Sequence, residues 1–318
     1  MKSGPMSDAG RPVPTVPPMP GRDPLGHKGT FGTTLVIGGS TTPRMMAGAP
    51  ALAARAALRS GCGLTVVAVP STLAATVATM LPEATLIPLG ISEAVDHDSI
   101  AWGIEAARQS HAVVCGCGLG SPDGIEDLVR DVVELEERPR VLDADGLNAL
   151  ARAGVRSMRG PIVLTPHPGE WGRLARVLGI DADPLHEERR PHAAASLARA
   201  LDSGGGPVVV VLKGARTVVA DGERWWRCER PNPALATGGS GDVLAGVIGG
   251  LLAQFHPRAG ARANDITRDA FELACIGVEL HSLAGMIRSR TIGDAGLLAH
   301  ELADSIPEAR GLIQSIDE

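Results

Sequence analysis

Tyrosine is absent from this chain of 318 residues, and three phenylalanines and four tryptophans are its only aromatic residues. Proteins that grip single-stranded nucleic acid stack bases on aromatic side chains along a basic groove. With so few rings and a formal net charge of −6, the composition argues against nucleic-acid binding. No uninterrupted apolar stretch of about 18 residues occurs, and the N-terminus lacks the apolar core of a signal peptide. Neither a membrane span nor export is expected. The five cysteines, Cys62, Cys115, Cys117, Cys228 and Cys275, include no CxxC pair and mostly lie in apolar runs. That usage predicts reduced, buried thiols in a cytoplasmic protein rather than a disulfide framework.

What is present is apolar and strand-like. At 44% hydrophobic and 21% charged, the chain has the material for a sizeable core. Residues 1–26 are proline-rich without apolar periodicity and read as a disordered tail, leaving 27–318 as one folded domain. There, TTLVIGG (33–39), a helical pattern from about Ala47 to Ser60, LTVVAVP (64–70) and a helical pattern from about Ser71 give the order βαβ. The alternation continues through AVVCG (112–116), RVLDAD (140–145), PIVLTP (161–166) and PVVVVLKG (207–214). Near-continuous Val/Ile/Leu strands imply burial on both faces, hence a mostly parallel central sheet with helices on both sides. RTVVADGERWWRC (216–228) predicts a hairpin around Asp221-Gly222, and the chain after Asp242 reads as helical. In such α/β sheets, ligands collect at the carboxyl ends of the strands.

NPALATGGSGDVLAGVIGGLLAQ (232–254) is the richest motif. Gly238, Gly239 and Gly241, around Ser240, are expected to take positive φ and let the backbone approach an anion at a helix start. Asp242, in that first turn, is placed to deprotonate a hydroxyl as it attacks a phosphate; the plainer alternative is a loop with Asp242 as a helix cap. Val243, Leu244, Val247, Ile248, Leu251 and Leu252 make an apolar stripe, and Gly246, Gly249 and Gly250 lie on a small-residue face. Together they predict a buried helix with close backbone neighbours.

Other polar groups follow the strands. Gly116-Cys117-Gly118-Leu119-Gly120 reads as a backbone-approach loop or a tight turn. Asp143 and Asp145 are candidate contacts for a metal ion or its waters, with helix capping the alternative for Asp145. In Thr165-Pro166-His167-Pro168-Gly169-Glu170, Pro168 suits a first helical position, Glu170 favours the positive helix end, and His167 is presented to a ligand. Lys213 ends a buried strand, to hold phosphate or to reach solvent at the sheet edge.

With these motifs in order, the chain resembles the ADP/ATP-dependent NAD(P)H-hydrate dehydratases of the ribokinase-like superfamily. HKGTFG, GAPALAARAALRSGCGL, PEA, GCGLG, DADGLN, LTPHPGE, VVLKGART, NPALATGGSGD and GLLAHEL carry the resemblance, from His27 to about Pro307. TGGSGD marks only the superfamily; LTPHPGE and the HKG-x-FG opening point to dehydratases. The resemblance implies a ribokinase-like fold and, as substrate, the S epimer of NADHX or NADPHX, hydrated at C6. That hydroxyl would be phosphorylated from ADP or ATP, with Mg2+ bridging phosphates, and phosphate eliminated to restore NADH or NADPH. By the same resemblance, Lys213, Gly214, Ala215, Arg216, Thr217 and Gly241 contact the adenine nucleotide, while Ala49, Gly118, His167 and Asp242 contact the hydrate. A homo-oligomer is implied, and so is a functional link to a separate NAD(P)H-hydrate epimerase, because no length remains for an epimerase domain. Cys117 departs from the family by standing where proline is common. The competing reading keeps the fold but stops at phosphorylation of a vitamin-precursor alcohol.

Overall fold

The computed structural model describes residues 9–90, 97–257 and 267–316. Its strands are β1 (Arg11–Pro12), β2 (Thr33–Ile37), β3 (Leu64–Pro70), β4 (Thr85–Leu89), β5 (Ala112–Cys115), β6 (Arg140–Leu142), β7 (Ile162–Leu164), β8 (Val208–Leu212), β9 (Val218–Ala220) and β10 (Arg224–Arg227). The helices between β2 and β8 are α1 (Gly48–Arg59), α2 (Ser71–Met80), α3 (His97–Gln109), α4 (Ile125–Val133), α5 (Asp145–Arg152), α6 (Pro168–Leu178) and α7 (Arg190–Leu201). After β10 come α8 (Ser240–Phe255), α9 (Ala270–Ile292), α10 (Ala299–Asp304) and α11 (Ile306–Ile316).

The strands form one sheet in the order β1-β10-β9-β8-β7-β6-β5-β2-β3-β4. All pairs are parallel except β8/β9 and β9/β10, the latter being the hairpin expected around Asp221-Gly222. Alternate strand residues feed two cores, as the pleat requires. Val36, Val114, Val141 and Val163 pack with α1, α8 and α9, while Leu35, Ile37, Val113, Leu142 and Leu164 pack with the helices of the opposite layer. The apolar runs are therefore continuous because both faces are covered.

Two features depart from expectation. Sequence reading misses β4, whose TLIPL is half-exposed and interrupted by Pro88, as suits an edge strand. The disordered tail is corrected over its described part, residues 9–26. Arg11–Pro12 pairs in parallel with β10, Met19 is buried, and the Pro20 carbonyl accepts a hydrogen bond from Arg310. Proline holds the backbone extended, and an extended segment can complete a sheet edge without helical or alternating periodicity of its own.

α8 is buried along nearly its whole length. A Cβ at Gly246 would overlap the Ala53 carbonyl of α1, and one at Gly250 would overlap Ser60 Oγ. Gly246→Ala is therefore expected to destabilise the protein by about 2 kcal/mol, although alanine gains about 1 kcal/mol in helix propensity. An unchanged urea midpoint would show that α1 and α8 part freely. α9 is long and apolar enough to cross a membrane by composition, yet 78% of its most apolar window is buried within the protein.

Candidate active site

The polar residues that follow β5, β6, β7 and β8 meet the first turn of α8. Asp143, just past β6, is buried, and its Oδ1 accepts hydrogen bonds from Lys213 Nζ at 2.5 Å and Thr165 Oγ1 at 2.7 Å. Lys213 Nζ also lies 3.9 Å from Glu170 Oε2. Burial by itself would lower the ammonium's pKa; Asp143 and Glu170 outweigh it and hold Lys213 above its ordinary value. The lysine thus points into a carboxylate cluster, not out of the sheet edge. A Cβ at Gly241 would stand 3.3 Å from Lys213 Nζ and 3.8 Å from Asp143 Oδ2, so the glycine leaves this cluster open to the start of α8.

Of the three glycines expected at positive φ, only Gly239 adopts it, at 90°, as the N-cap of α8. Gly238 and Gly241 do not, because Gly241 is already helical and the left-handed step is needed only once, at the cap. Asp242 is the third residue of α8 and makes no N-cap bond. Burial, followed by the charge of Asp143, pushes its carboxyl up to about 6, against a hydrogen bond from Cys117 and the pull of Lys213. The Cys117 thiol is raised well above its ordinary value by burial, and then by Asp242 and Asp143, so it stays protonated and donates to Asp242. Cys117, Asp143 and Asp242 each bring a ligating atom into a cluster in which all lie within 4.8 Å of one another.

Asp145 opens α5 without capping it; its Oδ2 accepts from the Gly120 N–H at 2.8 Å. Between the two carboxylates, Ala144 holds φ at 49°, alone in that region among the described non-glycine residues. Such strain persists where the surroundings over-determine the backbone, as they do between β6 and α5. Mg2+ takes oxygen ligands in octahedral geometry and retains several waters. Asp143 Oδ1 and both oxygens of Asp145 already accept protein donors, so the pair fits a hydrated Mg2+ held through its waters.

His167 is the N-cap of α6. Its Nδ1 accepts from the Gly169 and Glu170 N–H groups at 3.0 and 3.4 Å, and its own N–H donates to Glu170 Oε2, completing a capping box. Its ring is half exposed, with Nε2 3.2 Å from Glu170 Oε1. Burial raises the Glu170 carboxyl against the opposing pull of Lys213. His167 is thereby tied through Glu170 to Lys213. Gly118, at φ 66°, lies against Ala49, whose Cβ would be 3.0 Å from a Cβ at position 118.

On the other side of the α8 start is a cavity of about 670 Å³, within the range of small-molecule sites. Lys213, Gly214, Ala215, Thr217, Ser240 and Gly241 line it, with Asn232 and His281. Thr217 Oγ1 closes the loop by donating to the Gly214 carbonyl at 3.2 Å. Gly238, Gly239 and Arg216 do not line the cavity, and Arg216 pairs with Glu229 at 3.3 Å. His281, on α9, meets Ser240 Oγ at 3.1 Å, and burial pushes its imidazole down to about 4, keeping it neutral. Sequence reading misses His281, a lone histidine in an apolar helix, and gives Glu170 only a helix-end role. The spacing of LTPHPGE held a usable signal: histidine and glutamate three residues apart suit a capping box.

A doubly wound, mostly parallel sheet with a glycine turn and a cavity of about 670 Å³ at one helix start has the fold of the ribokinase-like class. A sequence profile of the NAD(P)H-hydrate dehydratase family matches residues 34–308, and the chain belongs to that family. It is 39% identical to the ADP-dependent (S)-NAD(P)H-hydrate dehydratase of Neisseria meningitidis, over 90% of this chain and 86% of that protein. Against the bifunctional NAD(P)H-hydrate repair enzyme of Moorella thermoacetica, it is 36% identical over 91% of this chain and spans about half, 51%, of that relative's length. The crystal structure of the Bacillus subtilis ADP/ATP-dependent NAD(P)H-hydrate dehydratase, co-crystallized with ATP/Mg2+, superposes with a TM-score of 0.72 at 29% identity, covering 95% of this chain and all of that one.

Proposed function

We propose that this protein repairs the S epimer of NADHX or NADPHX, using ADP or ATP as phosphoryl donor. The observation that carries the reading is the position of Asp242: a carboxylate poised near 6 in the first turn of α8, with a nucleoside-sized cavity beyond Ser240 and Gly241. In this reading the cavity takes the adenine nucleotide, and Gly118, Ala49 and His167 border the hydrate. Ionised Asp242 accepts the proton of the C6 hydroxyl as its oxygen attacks the terminal phosphorus of the nucleotide; AMP or ADP departs. The N–H groups opening α8 and the Lys213 ammonium face the charge on the transferring phosphoryl. The C6–O bond then breaks, phosphate leaves, and a C5 proton is lost as the C5–C6 double bond forms. Mg2+, held through its waters by Asp143 and Asp145, would neutralise phosphate charge.

The neighbourhood of Asp242 suits a base that must be charged yet remain basic. The proposal extends to a single catalytic domain over 27–318, with Arg11–Pro12 completing its sheet edge, acting in the cytoplasm as a homo-oligomer and supplied with S epimer by a separate epimerase. Incubation with (S)-NADHX, ADP and Mg2+ is expected to restore the absorbance of reduced nicotinamide, and to do so only when nucleotide is present. Turnover of a vitamin-precursor alcohol with no recovery from the hydrate would overturn it.

A further inference from the structure

A second concavity, of about 490 Å³, lies between α5 and α6 and is lined by Asn148, Ala151, Arg152, Arg173, Arg176 and Val177. Among the described residues no acidic side chain lines it, which sets it apart on a chain of net charge −6. Its three arginines differ in occupancy. Arg152 is paired with Glu126 at 2.5 Å, and among the described residues the Arg173 side chain donates only to the neutral amide of Asn148, at 3.1 Å. The Arg176 side chain has no ion pair or hydrogen bond among the described residues.

A chain of hydrogen bonds joins the groove to the site. Arg173 bonds Asn148, Asn148 Nδ2 reaches Asp145 Oδ1 at 3.4 Å, and Asp145 binds the Gly120 N–H and raises the pKa of Asp242 by its charge. α6 starts in the site at His167, and at about 1.5 Å rise per residue Arg173 and Arg176 stand roughly 8 and 12 Å along it from Pro168. Three residues apart, they share one helix face. A dinucleotide with its nicotinamide at Asp242 has a far end to place, and this groove, bonded to the site through Asn148 and Asp145, carries the right charge.

We propose that the α5–α6 groove is the subsite for the adenosine end of the hydrate, with Arg173 and Arg176 holding the 2′-phosphate that distinguishes NADPHX from NADHX. The inference rests on the hydrate-repair reading given above. A terminal phosphomonoester carries close to two negative charges at neutral pH, and guanidinium forks match its oxygens in geometry as well as charge. The uncommitted Arg176 and the weakly committed Arg173 supply that match.

The test uses the whole chain with Arg173→Gln and Arg176→Gln combined, two exposed sites where glutamine keeps the helix and removes the charge. With ADP saturating, KM for NADPHX is expected to rise about tenfold or more, with kcat little changed and the KM for NADHX within about twofold. A parallel calorimetric titration of the ADP-loaded protein with 2′,5′-ADP and 5′-AMP reads the groove without turnover: wild type prefers the former, and the double variant loses the preference. Equal KM shifts for both hydrates, or no preference for 2′,5′-ADP in wild type, would overturn the subsite. If wild type repairs neither hydrate but the preference for 2′,5′-ADP is present and lost in the variant, the repair reading falls and the 2′-phosphate site stands.

Discussion

Asp242→Asn is expected to cut kcat by about 100- to 10,000-fold, the range that a positioned general base contributes, while making the folded protein more stable. Asparagine keeps an oxygen to accept the Cys117 thiol proton, so the local geometry survives and the loss reports proton transfer. The stability gain follows from linkage. In the native protein the Asp242 carboxyl titrates near 6, against an ordinary value of 3.8, so the folded state holds a proton that the unfolded chain releases. Stability therefore falls as pH rises from about 4 to about 6 and stays lower above that range. A rise of this size corresponds to roughly 3 kcal/mol if none of it is relieved by relaxation. Asparagine does not ionise, so the variant is expected to melt with wild type near pH 4 and above it at pH 7. The same ionisation governs turnover: kcat in wild type should climb through about pH 6 and level off above it. Matching melting curves at pH 7, or an Asp242→Asn enzyme within about tenfold of wild type, would show that the carboxylate is neither strained nor the base.

Lys213→Met carries the second large effect. Lys213 is the cation against which buried Asp143 is set, with Glu170 beside it and Asp242 within its field. Removing one partner of a buried ion pair typically costs about 3–5 kcal/mol, because the other charge stays buried without compensation. Lys213 lowers both Asp242 and Glu170, so in its absence both carboxyls rise further and the foot of the pH–rate profile moves to higher pH. The destabilisation should be largest at pH 8 and smaller at pH 5, where those carboxyls take up protons. Adding Asp143→Asn, which removes the orphaned charge, should recover part of the lost stability, giving a coupling energy in a double-mutant cycle. Equal losses at both pH values with additive single and double variants would mean that Lys213 acts by packing alone.

These two residues show how far the sequence reaches. Asp242 is legible as a candidate base because its helix announces itself locally: glycines before it, a periodic apolar stripe after it, and small residues at close-packing positions. Lys213 is less so. A lysine ending a strand has two ordinary fates, solvent or ligand, and the structure adds a third, an ion pair with Asp143 across two strands, 70 residues away in sequence. From sequence His167 reads as presented to a ligand, and its ring is half exposed; what no run of residues displays is that its capping partner Glu170 links it to Lys213. Cys117 drew notice only as a departure from a proline, and its contact with Asp242 depends on how the loop after β5 meets the start of α8.

By itself, the sequence determined the doubly wound α/β fold and the helix start that carries Asp242, because strands covered on both faces leave continuous Val/Ile/Leu runs and a buried helix leaves glycines at fixed spacing. Those signals are local. Tertiary structure decided the edges and the electrostatics: that Arg11–Pro12 complete the sheet edge, that Lys213 faces Asp143 and Glu170, that Asp242 titrates near 6, and that three arginines share a groove between α5 and α6. A backbone hydrogen bond at a sheet edge, and a charge's energy in a poorly solvated site, depend on groups brought together from distant parts of the chain. Neither leaves a periodicity in the residues that take part.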